Sequence, residues 1–447
     1  MRKVTAAFVL SCALTLTAAE VLSLDDCLRI ARENNAALKS AEMDRRMAEE
    51  TEDSAFPAYF PQVSAGAFAF MADDHLAKET VDFSKTLKGL APAAAQMGIP
   101  PAALAGLPTS YTLREFDKGV VGHLTLVQPV FAGGRIRNGN RLAGIGTRAA
   151  RLQEILAETE VRRNTETYYW LVVSLKEKLK TLDEARKQVD AIRKDVEAAV
   201  DAGVAVKNDL LRVELEGKKL ESNRVKVENG LAVAKLMLAR QMNRPEPDFE
   251  LAEVPLDDVL PPQHYRMSAD EAVERRPESK LLAIGREAAE REKSMERGKA
   301  LPTVAVGASL LYQDLLDEAA VDGVLFATVS VPISDWWSNA HSTAKFDLKA
   351  RKAAIDEAEN RNLIKVDVEA KWNALDEAYR QIGIGRDALA QAEENLRIQR
   401  DFYNAGATTL GELLGAETLR RQAADSRCDA VTGYYAAVGA YLAATGR

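Results

Sequence analysis

The side chains that most often carry chemistry are scattered along this sequence. No two of its four histidines have the spacing of metal ligands; they are His75, His123, His264 and His341. Gly133 and Gly134 suit a phosphate-binding turn between a strand and a helix, but the Gly-Lys-Ser/Thr sequence that completes such a loop is absent. The cluster of Asp73, Asp74 and His75 is typical of a solvated charge run. The sequence therefore predicts no enzyme, no metal site and no cofactor.

Acidic residues do recur, within a long internal repeat. Asp209 follows Gly203 closely, and a shift of 203 residues brings the same arrangement back at Glu412 and Gly406. The shift also relates Pro129 to Pro332, Leu210 and Leu211 to Leu413 and Leu414, and Glu214 to Glu417. The chain is therefore interpreted as a duplication, with a first repeat over 20–242, a proline-rich connector over 243–267 and a second repeat over 268–447.

Each repeat has two segments in which apolar residues alternate with a period of two. These segments predict strands at 62–71, 119–128, 303–312 and 324–331. Each strand has a proline at the end that joins a helix and none inside, namely Pro61, Pro129, Pro302 and Pro332. Strands of this length can cross a bilayer, but four cannot close a barrel, and lipid does not tolerate an open sheet edge. The sequence therefore predicts an oligomer, and three copies would form a closed barrel of twelve strands.

Helical periodicity accounts for most of the remaining sequence. It predicts long helices at 145–202, 208–242, 343–404 and 410–444, and shorter ones at 24–55 and 269–298. The two longest would measure roughly 85–90 Å at about 1.5 Å per residue, which is too long for a globular domain of this size. Their heptad-like spacing predicts coiled-coil packing. The segment 72–118 has no sustained period and is interpreted as a long surface loop.

The first residues of the chain and its composition indicate the compartment of the protein and exclude one class of partner. Residues 1–19 combine Arg2 and Lys3 with an apolar run and small residues, which predicts a signal peptide and export. Lipidation at Cys12 is disfavoured, while Cys27 and Cys428 are either a bridge or two unpaired buried thiols. The net charge of -8 provides no basic surface for a nucleic acid.

Three segments and the duplication together carry a family resemblance. The segments are 126–135 (LVQPVFAGGR), 403–406 (YNAG) and 410–417 (LGELLGAE). In their order and spacing the sequence resembles the TolC family of outer-membrane channel proteins, over essentially the whole mature chain. The resemblance implies a mainly α fold with membrane β: a homotrimer with a twelve-stranded barrel in the outer membrane and a coiled-coil helical barrel in the periplasm. Such a protein is the passive exit duct of a tripartite efflux pump or a type I secretion system, with a periplasmic adaptor and an inner-membrane transporter as partners.

The resemblance also assigns residues to the periplasmic entrance. By position, Asp209 and Glu412 would form rings of acid that constrict the pore and attract cations, in a gate that opens when the adaptor docks. A second acidic position found in some members is Gly415 here, and Arg212 in the first repeat. A structural alternative remains, because Thr409 and Glu412 fit a capping box and Asp209 favours the helix dipole.

The turns beside these acids have two interpretations as well. Gly203 and Gly406 predict helix ends in the left-handed conformation before tight turns. The leucines that follow would contact either the adaptor or the core; they are Leu210, Leu211, Leu413 and Leu414. Aromatic residues near the strand ends would form an interfacial girdle, the core of the helix–strand junction, or both. The competing function is an exported coiled-coil scaffold whose strands are hairpins of a soluble domain.

Overall fold

The structure is a computed structural model that describes residues 20–447 except 75, 77, 98–99, 101–104, 106, 115–116, 257–258 and 316–318. The predicted signal peptide, Cys12 and His75 lie outside the described residues. The chain is mainly helical with a few strands, as the sequence predicts. It divides into two compact units: a helical unit of residues up to Glu49, Ile145–Glu287 and Arg351–Arg447, and a sheet unit of Glu50–Gly144 and Ala288–Ala350.

The elements follow in chain order. The strands are β1 Glu20–Leu22, β2 Gln62–Met71, β3 Lys78–Asp82, β4 Ser110–Arg114, β5 Lys118–Ala132, β6 Phe249–Leu251, β7 Thr303–Asp314 and β8 Ala319–Ser330. The helices are α1 Leu24–Asn34, α2 Ala36–Ala55, α3 Ser84–Gln96, α4 Arg135–Asp201, α5 Lys207–Gln241, α6 Ala269–Arg275, α7 Pro277–Lys299, α8 Trp336–Asn404 and α9 Leu410–Ala444. Short 3-10 turns lie at Phe56–Tyr59, Pro262–Tyr265 and Ile333–Asp335. None of the described helices is both long enough and apolar enough to span a membrane.

The predicted single helix over 24–55 is wrong, because the chain breaks at Asn35. The backbone there leaves the helical region, with φ -57° and ψ 131°. Asn35 Oδ1 accepts a hydrogen bond from the Ala37 backbone N–H at 2.8 Å and so caps α2. The second repeat breaks in the same way at Arg276, because the Pro277 ring disfavours the helical conformation in the residue before it.

Three apolar clusters form the core of the helical unit. The first joins α1, α4 and α5 around Cys27, Val172 and Leu238. The second gathers the ends of four long helices beside the turns, and the third packs α8 against α9 around Leu375 and Tyr434. The connector between the repeats contains β6, which pairs in parallel with β1 so that Leu22 lies opposite Leu251. The sequence pattern does not indicate this pairing.

The main sheet of the sheet unit contains four antiparallel strands in the order β2-β5-β7-β8. The expectation that no proline lies inside a strand is wrong at Pro129, because β5 continues to Ala132. The register between β5 and β7 shifts between Pro129 and Phe131, and a bulge of this kind accommodates a residue without a backbone N–H. The described part of 72–118 also contains elements that the sequence does not predict, since β3 and β4 pair in it and α3 lies between them.

Candidate functional site at the helical turns

Two turns of matching geometry connect the long helices of the helical unit. Gly203 follows α4 with φ +73°, and Gly406 follows α8 with φ +70°. In the first turn the Gly203 N–H donates to Val200 O at 3.0 Å and the Val204 N–H donates to Ala199 O at 2.9 Å. The second turn repeats both bonds, from Gly406 to Tyr403 and from Ala407 to Phe402. This is the Schellman motif, and its left-handed position explains the glycine in each repeat.

The four leucines after the turns do not share one environment. Leu413 is buried in the second apolar cluster with Leu396 and Val213, so it belongs to the core. Leu210 and Leu414 pack partly against the same cluster, while the Leu211 side chain is 52% exposed. Leu211 is therefore the leucine of this set that is most accessible to a partner.

The two acidic residues occupy equivalent positions in the first turns of α5 and α9. Asp209 is half-buried, and its backbone N–H donates to Val206 O at 2.9 Å. Glu412 is exposed, and its N–H donates to Thr409 Oγ1 at 3.3 Å. One of the two hydrogen bonds of the predicted capping box is thus present, and the backbone N–H of Glu412 donates it. The Glu412 carboxylate faces solvent.

The two turns also approach each other. Burial raises the pKa of Tyr403, at the end of α8, and the carboxylates of Asp209 and Asp195 raise it further. The first-repeat acid therefore lies near the second-repeat turn. Arg212 Nη1 lies 3.9 Å from where a side chain at Gly411 would begin, so a basic group accompanies the acids.

The two faces of the four-stranded sheet differ in polarity. One face, here called the apolar face, contains the cross-strand rows Val63–Leu126–Ala308–Leu325, Ala65–Leu124–Leu310–Gly323 and Ala67–Gly122–Tyr312–Val321. The opposite face, the polar face, contains His123, Thr125 and Asp322 among apolar side chains that include Phe68, Leu311 and Phe326. There Thr125 Oγ1 and Ser309 Oγ lie 2.9 Å apart, and Gln313 Nε2 donates to Asp322 Oδ2 at 3.1 Å. The strands β2 and β8 form the two edges, and each pairs on one side within the described chain.

The cysteines and the metal-binding residue types complete the survey. Cys27 and Cys428 are free and buried, which excludes a bridge between them in this structure. Burial raises the pKa of the Cys27 thiol to about 12 and that of Cys428 to about 11, so both remain protonated at neutral pH. Within the described ranges, His, Cys, Asp and Glu side chains form no group suited to a metal ion.

The fold of this chain is similar to that of several solved structures. No family model matches the sequence, and no curated protein matches it. Among solved structures, the Campylobacter jejuni CmeC outer membrane channel aligns with 14% identity and a TM-score of 0.76, over 95% of this chain and 85% of that one. The Vibrio cholerae outer membrane protein VceC aligns with 14% identity and a TM-score of 0.76, over 95% of this chain and 96% of its own. The open state of the Neisseria gonorrhoeae MtrE outer membrane channel aligns with 16% identity and a TM-score of 0.73, over 95% of this chain and 88% of that one.

Proposed function

We propose, from the premise that this chain has the fold of TolC-like outer-membrane channels, that it is the passive exit duct of an export system. The duct would be a homotrimer in the cell outer membrane, with its long helices forming a barrel in the periplasm. The observation that carries the proposal is the four-stranded sheet, which combines an exposed apolar face with two open edges. The proposed export of the chain depends on the predicted signal peptide over 1–19.

The sheet requires neighbours if it is to lie in lipid. Because lipid offers no partner for backbone N–H and C=O groups, both edges must pair with other strands. If β2 of one copy pairs with β8 of the next, three copies close a barrel of twelve strands. The apolar face, on which Leu325 is 87% exposed, then contacts the outer-membrane lipid, and the polar face with His123 and Asp322 lines the lumen.

Aromatic side chains near the strand ends support a membrane location for the sheet. The exposed set comprises Phe56, Tyr59, Phe60, Phe131, Trp336 and Trp337. Trp336 Nε1 donates to Ala300 O at 3.1 Å, while the Trp337 side chain is 78% exposed. Exposed tryptophan and tyrosine suit the boundary between lipid and water, so we assign this set to an interfacial girdle.

The helical turns would form the periplasmic entrance. In a trimer, Asp209 and Glu412 would each supply a ring of three carboxylates, which constricts the pore and attracts cations. The turns of Gly203 and Gly406, with Leu210, Leu211 and Leu414, would contact the periplasmic adaptor, whereas Leu413 belongs to the core; Leu211 is the most exposed of these leucines. Docking of the adaptor, driven by an inner-membrane transporter, would open the gate. The transporter would determine whether the cargo is a small molecule or a secreted protein.

Single-channel conductance in a planar bilayer tests the duct and its gate together. The native protein is compared with Asp209→Ser plus Glu412→Ser, and we expect small cation-preferring steps that become larger and less selective in the variant. The matched control, Asp44→Ser plus Glu253→Ser, removes the same charge outside the turns. If correctly folded protein neither inserts nor conducts, the scaffold function replaces this one. If all three proteins conduct alike, the acids at the turns only stabilise the helix starts.

A further inference from the structure

A buried polar pair interrupts the apolar packing of α9. The Glu417 side chain is 3% exposed, and in the described chain neither carboxylate oxygen has a hydrogen-bond partner. Arg420 Nε lies 3.6 Å from Glu417 Oε1, which is too long for a hydrogen bond, and Nε and Nη2 of Arg420 also lack partners among the described residues. A buried ion pair with these gaps stabilises its surroundings poorly, because each unsatisfied group has lost its water.

Charged groups reach Glu417 from its own helix and from α8. On α9 these groups are Arg420 and Arg421, and on α8 the group is Arg400. From α4, Glu184 Oε2 lies 3.6 Å from Arg420 Nη1 and so competes for the same guanidinium. Arg400 is itself engaged, since its Nη2 donates to Gln188 Oε1 of α4 at 2.8 Å. Glu417 therefore lies among three arginines without a close partner.

Burial outweighs these positive charges. Loss of hydration raises the pKa of Glu417 above its ordinary value, although Arg420, Arg400 and Arg421 each favour the charged carboxylate. An acid with a raised pKa binds its proton more tightly in the packed state than in the open state. The packed state is therefore favoured as the pH falls toward the ordinary pKa, and this contribution is lost as the pH rises through the raised one.

We propose that Glu417 and Arg420 form a proton-controlled latch on the second helical hairpin, which consists of α8, the turn at Gly406 and α9. With a proton on Glu417, α9 packs closely on α4 and α8. Without the proton, the buried charge draws water toward the pair and α9 loosens at this level. The latch concerns packing within one chain, so it does not depend on the proposed channel function.

The duplication supplies an internal comparison for this proposal. Glu214 occupies the position in α5 that Glu417 occupies in α9, but its side chain is exposed. An exposed carboxylate keeps its hydration in both the packed and the open state. The latch is accordingly confined to the second helical hairpin.

Amide hydrogen exchange of the full-length protein, followed by mass spectrometry and corrected for intrinsic rates, tests the latch. We expect the protection of α9 amides around Glu417 to rise several-fold as the pH is lowered from about 8 to about 4.5, the ordinary pKa of a glutamic acid side chain. Glu417→Gln, which mimics the protonated side chain, should keep the high protection at every pH. Glu214→Gln should retain the pH dependence of the native protein.

Arg420→Met is a second variant, and a purely structural role of Arg420 would not account for its expected effect on the pH dependence. Removal of the nearest positive charge should move the pH midpoint of protection upward, since the charged carboxylate loses its main support. The native pH series is informative even if a variant does not fold. Protection of α9 that is independent of pH in the native protein overturns the latch, and so does unchanged pH dependence in Glu417→Gln.

Discussion

Gly415 shows how a single residue would set the character of the proposed entrance. It lies one helical turn after Glu412 on α9, is exposed, and would place an added Cβ more than 4 Å from other heavy atoms outside its own helix. The site therefore has room for a side chain that the sequence does not provide. A gate built on one acidic residue per repeat should be less selective than a gate with a second ring of acid.

We predict that Gly415→Asp lowers the single-channel conductance and strengthens cation preference, because it adds three carboxylates to the constriction of a trimer. The reversal potential under a potassium chloride gradient measures the preference. Gly383→Asp is the matched control, since an added Cβ at Gly383 would also meet no other heavy atom within 4 Å, but Gly383 lies in the middle of α8. Equal shifts in both variants would show that total charge matters and the position of the ring does not.

The break between α1 and α2 is a feature of whole elements, although one side chain produces it. Asn35 is 7% exposed, and besides capping α2 its Nδ2 donates to Gln241 O, at the end of α5, at 2.8 Å. The side chain thus fixes the start of one helix and ties it to the end of another. The second repeat produces its break with Pro277 instead, so the two repeats reach the same geometry through different chemistry.

We predict that Asn35→Ala destabilises the protein by about 1–2 kcal/mol, since it removes a helix cap and leaves the part-buried Gln241 carbonyl without this donor. Thermal unfolding followed by circular dichroism measures the effect. Asn34→Ala is the control, because the Asn34 side chain donates to Ile30 O within its own helix. A loss of stability as large in Asn34→Ala would contradict the assigned role of Asn35.

Sequence patterns revealed the elements that repeat strongly and missed those that depend on distant contacts. Alternation over ten or more residues predicted strands such as β2 and β7, and the glycines predicted the turns. The break at Asn35 was missed because asparagine costs little inside a helix and its partner Gln241 is remote in sequence. Glu214 and Glu417 looked equivalent, yet the packing of α4 and α8 around α9 buries Glu417 alone of this pair. Burial of a polar residue is a property of tertiary packing, which an internal repeat cannot reveal.

At the scale of the whole molecule, the polarity of the two sheet faces determines how the sheet could lie in a membrane. Neighbouring residues of β8 belong to opposite faces, so Leu325 lies on the apolar face and Val324 on the polar face. Both side chains are exposed in the single chain. The difference between them is the environment that each would meet in an assembled barrel.

We predict that Leu325→Arg prevents membrane assembly, because a lipid-facing arginine costs about 2–4 kcal/mol per copy near the bilayer midplane. Val324→Arg, one residue earlier, should assemble because its side chain would face water in the lumen. The mass of the detergent-extracted complex, measured by light scattering, should correspond to three chains for the native protein and for Val324→Arg. Normal assembly of Leu325→Arg would contradict the assignment of the apolar face to lipid.

The pairing of β1 with β6 also bears on the order in which the chain folds. Leu22 lies opposite Leu251, so the beginning of the first repeat is tied to the connector that follows α5. At the end of the connector, just before the second repeat, the Met267 N–H donates to Tyr441 Oη at 3.0 Å, near the end of α9. In each repeat, a contact therefore links residues near the start of the repeat to residues near its end. The loop that each contact closes is shorter than a loop that spans both repeats. The first repeat can complete its closure before the second repeat is available, and the β5–β7 pairing that joins them can follow as a later step.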